Sequence, residues 1–325
     1  MWIAKPLRSL SSQELSAWRE ILVRQKTLGK EPPLAQSIAW GHAIEAVSGQ
    51  VHVVFSPEES VGGIVFATRS GEAVQFECTN GPLLDWDDES AAKRQLAVFA
   101  TAVSRLDSRF ARLVLRPRWL KGVAPRKLPI APAAVSFAAT LKIPLSHGQN
   151  PENTFTPRLR RTLRNSDRAR ITAQWEELTS SRLVEFALAA QAFGRARGFT
   201  VPPIFWFKAL TDSSDSSLRF GLVSARSPNG DMGCQLLIAY FEDEAHYLFG
   251  HEWRLPGARA TLSPSAIAHR FAIHHAREAQ MKSYDFNGTL ESADPTHTYA
   301  GVARFKAQFG GQMVRYEVSE LKIEI

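Results

Sequence analysis

Residues 284–316 read YDFNGTLESADPTHTYAGVARFKAQFGGQMVRY, a stretch that concentrates unusual residues where a strand hands over to a helix. Tyr284 and Phe286 alternate with Asp285 and Asn287, so the two rings face one side of a short strand and the two polar groups face the other. Gly288 ends that strand. Beyond a polar loop, Tyr299, Val302, Phe305 and Phe309 recur at helical intervals, which predicts a helix over 299–309 with Lys306 beside its apolar stripe. Gly310 and Gly311 stop the helix, and the Val, Tyr, Leu and Ile content of 313–325 predicts one or two closing strands.

Working outward, the chain repeats one order of elements. Ahead of Tyr284 the pattern predicts helices over 183–197 and 204–211, strands over 219–225, 233–241 and 245–251, and a helix over 264–280. Ser263 and Pro264 form an N-cap and first-turn pair for that last helix, and Lys282 lies near its C-terminal end. The first half gives helices over 12–28 and 35–47, strands over 51–55, 63–68 and 73–78, a helix over 90–106 and a strand over 113–115. Two halves with the same order predict an α/β protein with two similar domains, each a mixed sheet flanked by helices. The length of 325 residues and the 44% hydrophobic content suit two packed cores. The boundary is expected near 145–153.

The N-terminus carries charges early and has no apolar core of signal-peptide length, and no downstream run reaches membrane-spanning length, so the expectation is a cytoplasmic protein. Cys78 and Cys234 fit no metal or redox spacing, and each sits in an apolar, strand-like context that suits a buried, unpaired thiol.

The net charge of +7 is unevenly placed. Arg158, Arg160, Arg161, Arg164, Arg168 and Arg170 stand against Asp167 alone, and a second basic stretch runs through Arg112, Arg116, Arg118, Lys121, Arg126 and Lys127. Like charge on one helix either forms a solvated face or meets a polyanion such as nucleic acid or anionic lipid. No stable DNA partner is expected.

Several chemistries have no motif behind them. His269, His274 and His275 share one helix but none are four apart, and neither HExxH nor CxxC is present, so no metal site is expected. There is no GxSxG elbow, P-loop or GxGxxG, which leaves hydrolase, nucleotide-kinase and dinucleotide readings unsupported. No cofactor is expected.

The strand Tyr284, Asp285, Phe286, Gly288, followed by Gly301, Phe305, Lys306, Phe309, Gly310, Gly311 and Tyr316, resembles the C-terminal signature of the Fem-type peptidoglycan aminoacyltransferases. Other matching pieces are Gln36, Ser37 and Trp40, then Asn80, Gly81 and Pro82, then Arg116 with Pro117, the arginine-rich helix from Thr156, and Arg197, Gly198 and Phe199. The resemblance implies two tandem GNAT-like acyltransferase domains, over 1–148 and 149–316, with 317–325 returning to the first. Some members insert a long helical arm, and this sequence has no charged heptad stretch to build one.

The resemblance also implies the chemistry, which is transfer of an amino acid from aminoacyl-tRNA to an amine of a lipid-linked or nucleotide-linked cell-wall precursor, or a related acceptor, forming an amide. An amine attacking an ester carbonyl builds charge on oxygen, which a fixed cation would stabilise. Lys306 matches the lysine that the family uses beside the tRNA acceptor end, with Phe305 packed beneath that end; the competing reading is an ordinary solvent-facing lysine. Asp285 would accept a proton or orient the amine, or serve only as a hydrogen-bonded strand-end aspartate. Tyr284 and Asn287 flank it as substrate-binding candidates, and Arg160, Arg161 and Arg164 would contact tRNA or lipid phosphates, with peripheral contact at the inner membrane face. Where family members place an arginine and tyrosines around acceptor phosphates, this sequence has Pro202, Trp206 and Phe249, and His42 stands near where a lysine is expected after Trp40. These swaps leave the acceptor open. The alternative function is a tRNA-independent N-acyltransferase using an acyl thioester of coenzyme A or acyl carrier protein. Its usual Arg/Gln-x-x-Gly-x-Gly/Ala turn is only partly met by Arg254, Gly257, Ala258 and Arg259.

Overall fold

The computed structural model describes residues 1–27, 33–120, 131–132, 139–146, 148, 150–213, 218–255, 261–290 and 296–324. It divides into two units, Met1–Ser136 with Tyr316–Ile325, and Phe137–Arg315. Lys121, Arg126 and Lys127 of the second basic stretch, and the 256–260 turn, lie outside the described residues.

In the first unit β1 (Ile3–Pro6), α1 (Ser12–Thr27) and α2 (Ile38–Ser48) precede an antiparallel meander of β2 (Val51–Ser56), β3 (Val61–Ser70) and β4 (Ala73–Thr79). The helix α3 (Glu89–Ser104) then carries the chain over the sheet to β5 (Phe110–Arg116), which pairs parallel to β4. Short strands β6 (Arg118–Leu120) and β7 (Ala131–Pro132) follow. Local chemistry explains the boundaries. Ser37 accepts from the Trp40 amide to start α2, and Gly49 at φ 88° ends it in the left-handed conformation. Asp88 caps α3 through the Ser90 and Ala91 amides. Val74, Phe76 and Cys78 alternate inward along β4 and pack with Val54, Val65, Phe99 and Leu113. The Gln36 carboxamide is buried and tied to the Ile64 amide at 2.8 Å and the Thr79 carbonyl at 2.6 Å, so its place in the sequence has a structural cause.

The second unit repeats the plan. After β8 (Ala139–Pro144) come α4 (Pro157–Arg168), β9 (Thr172–Glu177), α5 (Ser180–Arg197) and α6 (Ile204–Asp212). An antiparallel meander of β10 (Leu218–Arg226), β11 (Met232–Phe241) and β12 (Glu244–Glu252) leads through α7 (Pro264–Glu278) to β13 (Ser283–Asp285), parallel to β12. The helix α8 (Ala300–Ala307) and β14 (Gln312–Glu324) close the chain. The first residues of β14 pair with β8 in the second unit, and Leu321–Glu324 pair with β5 in the first. Strands β1, β6, β7, β8 and β9 are additions to the sequence expectation. β8 alternates Ala139, Leu141 and Ile143 with Thr140 and Lys142, both of them also buried, and β9 alternates Ala173 and Trp175 with polar residues at the sheet edge.

The apolar stripe of α8 falls where expected, with Phe309 fully buried and Phe305 half-buried against the α7 core. Gly310 and Gly311 have φ of 70° and 85°, and a Cβ on either would run into the Thr154 or Lys142 carbonyl. Both cysteines are free and buried, in agreement with the expectation. Among the described residues no helix is long and apolar enough to cross a membrane.

Candidate functional site

The second unit brings most of the candidate residues together around the point where β12 and β13 part. Their parallel register covers Glu244↔Ser283, Ala245↔Tyr284 and His246↔Asp285, and then β13 ends while β12 continues. Tyr284 and Phe286 face α7. The Tyr284 hydroxyl meets His269 Nδ1 at 2.8 Å, and the His269 ring lies 4.9 Å from Phe286 and 4.7 Å from Tyr247. Burial in this aromatic box pushes the His269 pKa down to about 3, aided by the nearby Lys306 charge, so the imidazole is neutral.

Asp285 points to the other face, as its alternation requires, but that face is also covered and the residue is only 3% exposed. It accepts from the Thr140 hydroxyl and from the Asn287 amide at 2.7 Å, and its second oxygen lies 3.9 Å from Lys142 Nζ. Lys142 Nζ also contacts both Glu244 oxygens at 2.7 and 3.0 Å, and His246 Nε2 stands 3.8 Å from Glu244. Glu244, His246 and Asp285 could each offer a ligand atom within 4.8 Å of the others, yet the Lys142 ammonium already meets the carboxylates there. Sequence reasoning passed over Lys142, Glu244 and His246. Their signal was polar residues at every second position of β8 and β12, which only a known sheet register turns into a cluster.

Lys306 is 5% exposed, not solvent-facing. Its Nζ donates to the carbonyls of Phe286 at 2.8 Å, Asn287 at 2.6 Å and Gly288 at 2.6 Å, which uses all three ammonium hydrogens. It also lies 5.6 Å from the Tyr247 ring. Burial lowers its pKa to about 8, against the opposing pull of Asp285. Asn287 donates from Nδ2 to the Tyr247 carbonyl at 3.0 Å. Trp206 and Phe249 meet edge to face at 5.8 Å in an apolar cluster with Phe207. Trp40 and His42 belong to the first unit, half-buried on α2, with His42 Nδ1 3.4 Å from Glu45.

The arginine helix begins beside α8. Thr156, which caps α4 by accepting from the Leu159 amide, donates its own amide to the Gln308 carbonyl at 2.8 Å, and Thr154 Oγ1 reaches the Phe309 carbonyl at 2.7 Å. Leu159, Leu163 and Ser166 turn inward, which leaves Arg158, Arg161, Arg164 and Arg168 exposed and Arg160 half-buried. No carboxylate among the described residues pairs with these five, since Asp167 is bound by Arg270 at 2.6 Å. The remaining histidines of α7 are absorbed structurally, His274 by Glu152 at 2.9 Å and His275 by the Tyr240 hydroxyl at 2.6 Å.

Solved structures share this fold. The crystal structure of FemX matches 99% of this chain and 97% of its own length, with a TM-score of 0.75 at 14% identity. The chain shares its fold with FemX. The C-terminal domain of a putative lysylphosphatidylglycerol synthetase from Agrobacterium fabrum matches 95% of the chain and 92% of its own, with a TM-score of 0.55 at 13% identity. A tandem GNAT protein from the clavulanic acid biosynthesis pathway matches 100% and 98%, with a TM-score of 0.53 at 10% identity. The fold is therefore the Fem-type tandem GNAT fold, mixed α/β in both units. No protein-family model and no curated protein sequence matches the chain.

Proposed function

We propose that the chain is an aminoacyltransferase that moves an amino acid from aminoacyl-tRNA to an amine of a cell-wall precursor or related acceptor. The observation that carries this reading is the arginine face of α4, which pairs with no carboxylate among the described residues and is joined through its N-cap Thr156 to the end of the α8 signature helix. Cations without carboxylate partners are free to neutralise phosphates, and the hydrogen bond from Thr156 to Gln308 sets them next to the signature. The likeness in fold to FemX and to a lysylphosphatidylglycerol synthetase domain supports it further.

In the reaction the acceptor nitrogen attacks the ester carbonyl, a C–N bond forms, the C–O bond to the ribose breaks, and the amine proton passes to the departing hydroxyl. The transient oxyanion gains from the field of a fixed cation in a dry setting, which Lys306 supplies without reorienting. Asp285, held by Thr140 and the Asn287 amide, orients the strand end beside it. A lipid-linked acceptor would bring the chain to the inner face of the membrane, where exposed arginines favour anionic head groups.

A thioester donor fits less well. The first turn of α7, where a pyrophosphate would sit, is filled by the chain itself. Ser263 Oγ takes the Ala266 amide at 3.2 Å, the Glu252 carboxyl takes the Ser265 amide at 3.4 Å, and Pro264 has no amide hydrogen. The deciding experiment is a transfer assay with labelled aminoacyl-tRNA, with and without ribonuclease. Transfer abolished by ribonuclease is expected; transfer that survives it and requires an acyl thioester would overturn the reading.

A further inference from the structure

In the second unit α5 and α6 cover the face of the sheet opposite α7. Along β11, Leu236, Ile238 and Tyr240 belong to the core under α7, while Leu237 alternates to the other side together with its partner Phe249. There Phe249 meets Phe207 of α6 at 5.2 Å, and His251 meets Phe186 of α5 at 5.6 Å. Because α4 docks on α7, through the Asp167–Arg270 pair and its inward leucines, the arginine helix and the α5–α6 layer lie on opposite sides of this sheet.

A helix that covers a sheet is expected to turn polar residues outward, and α5 does not. With Leu183, Phe186, Ala187, Ala190 and Gly194 inward, its outer surface carries Val184, Leu188, Ala192 and Ala196. Val184, Leu188, Gln191 and Arg195 recur at helical spacing along one stripe, and Gln191 Nε2 donates to the Pro202 carbonyl at 2.8 Å, so the stripe runs beside the entry of α6. Leu188 is 52% exposed, and Phe205 in the first turn of α6 is 53% exposed. On the other side of α5, Trp253 is 39% exposed and stands edge-on to Phe193 at 6.0 Å. Among the described residues, every large apolar side chain of the second unit that is exposed lies in this layer.

The charge of the same surface is one-sided. From Phe186 to Thr211 the chain has no acidic residue, whereas Arg195, Arg197 and Lys208 are exposed, and Arg254 follows Trp253. Among the described residues no carboxylate lies within ion-pair distance of these four cations. Apolar side chains set among such cations complement an anionic bilayer, where rings and aliphatic chains enter the acyl boundary and guanidinium groups meet head-group phosphates. A second copy of this face would set cation against cation, with no carboxylate between Phe186 and Thr211 to receive them. A polynucleotide would meet the cations but gain nothing from exposed Val184 and Leu188.

We infer that the outer surface of α5 and α6 rests on an anionic lipid bilayer, with Leu188, Phe205 and Trp253 inserted and Arg195, Arg197 and Lys208 at the head-group phosphates. The contact is peripheral, since among the described residues no helix is long and apolar enough to cross a membrane. α4, on the opposite side of the sheet, stays available to its own polyanion. The inference goes beyond the proposed function and holds whatever the donor of the transfer reaction is.

Co-sedimentation of the intact chain with vesicles tests it, without donor or acceptor, so its outcome is independent of the ribonuclease assay. The wild-type protein should sediment with vesicles of phosphatidylcholine and phosphatidylglycerol and far less with phosphatidylcholine alone. The double variant Leu188→Gln, Phe205→Gln changes two exposed side chains, so it should keep the parent melting temperature and lose on the order of tenfold or more in partitioning. Arg195→Gln with Lys208→Gln should lose the preference for phosphatidylglycerol and flatten the salt dependence. Hydrogen exchange of the wild type needs no variant, and adding the mixed vesicles should slow exchange in α5 and α6. A wild-type protein that ignores the mixed vesicles, or whose α5 and α6 exchange is unchanged by them, overturns the inference. So does parent-like partitioning of the Leu188 and Phe205 variant, or binding that is lost instead when Arg160, Arg161 and Arg164 become glutamine. A wild type that is dimeric in light scattering and monomeric in the Leu188 and Phe205 variant would assign the face to a second copy and overturn the bilayer.

Discussion

At the scale of single residues, Lys306 and His269 both make stability rise with pH, one at the alkaline end of the range and the other at the acid end. The folded pKa of Lys306, about 8, lies below its ordinary value of 10.5, so between these values the unfolded chain binds more protons and stability rises with pH. The cost of burying the charge is full below pH 8 and relieved by pH 10.5, a change of about 3 kcal/mol at most. Denaturant titrations at pH 7.5 and 10 should show this rise in the wild type and none of it in Lys306→Met. That variant strips three carbonyls of their donor, so it should also be less stable, by about 1–3 kcal/mol at neutral pH. Its turnover should fall on the order of 10² to 10³ fold, with little recovery in Lys306→Arg, whose planar fork cannot meet three converging carbonyls; parent-like turnover would remove Lys306 from the reaction. His269 acts at the acid end. Its pKa of about 3 sits below the usual 6.5, so stability is lost as pH falls from about 6.5 toward 3. His269→Gln, which keeps an acceptor for the Tyr284 hydroxyl, should flatten that slope in acid-unfolding curves.

At the scale of elements, α4 separates binding from stability. Replacing Arg160, Arg161 and Arg164 by glutamine leaves Leu159 and Leu163 in the core, so the melting temperature should hardly move. Binding to tRNA should weaken and its salt dependence flatten by about one counterion for each phosphate that no longer meets an arginine. Identical binding at every salt concentration would reduce the helix to a solvated face. The Thr156→Ala variant should do the reverse, costing about 1 kcal/mol of stability through removal of the cap while keeping the arginines. The helix was expected from its run of arginines and from the resemblance; the structure adds the Thr156 cap, the Pro157 first turn and the inward leucines that hold it. β8 was not, because Lys142 and Thr140 are buried among polar partners on β12 and β13, more than a hundred residues later in the chain for Glu244 and Asp285.

At the scale of the whole molecule, the last strand is the element to cut. Leu321 is buried in the first core and Glu320 lies 3.2 Å from Arg116, so deletion of the residues after Tyr316 bares the edge of β5. Light scattering should find the truncated chain aggregated; a monodisperse product would count against the strand's role. Periodicity and caps alone determined the repeated order of helices and strands, the stop at Gly310 and Gly311, and the burial of both cysteines, because each depends on residues within a turn or a strand of one another. Only the tertiary structure decided what Lys306 touches and whether the second face of β13 is wet. Helical phase puts Lys306 beside the apolar stripe, but its partners belong to a turn eighteen residues earlier, and Asp285 is dry because Thr140 and Lys142 arrive from β8. The parting of β12 from β13 was likewise invisible, since pairing is a property of two strands and no single segment records where its partner turns away.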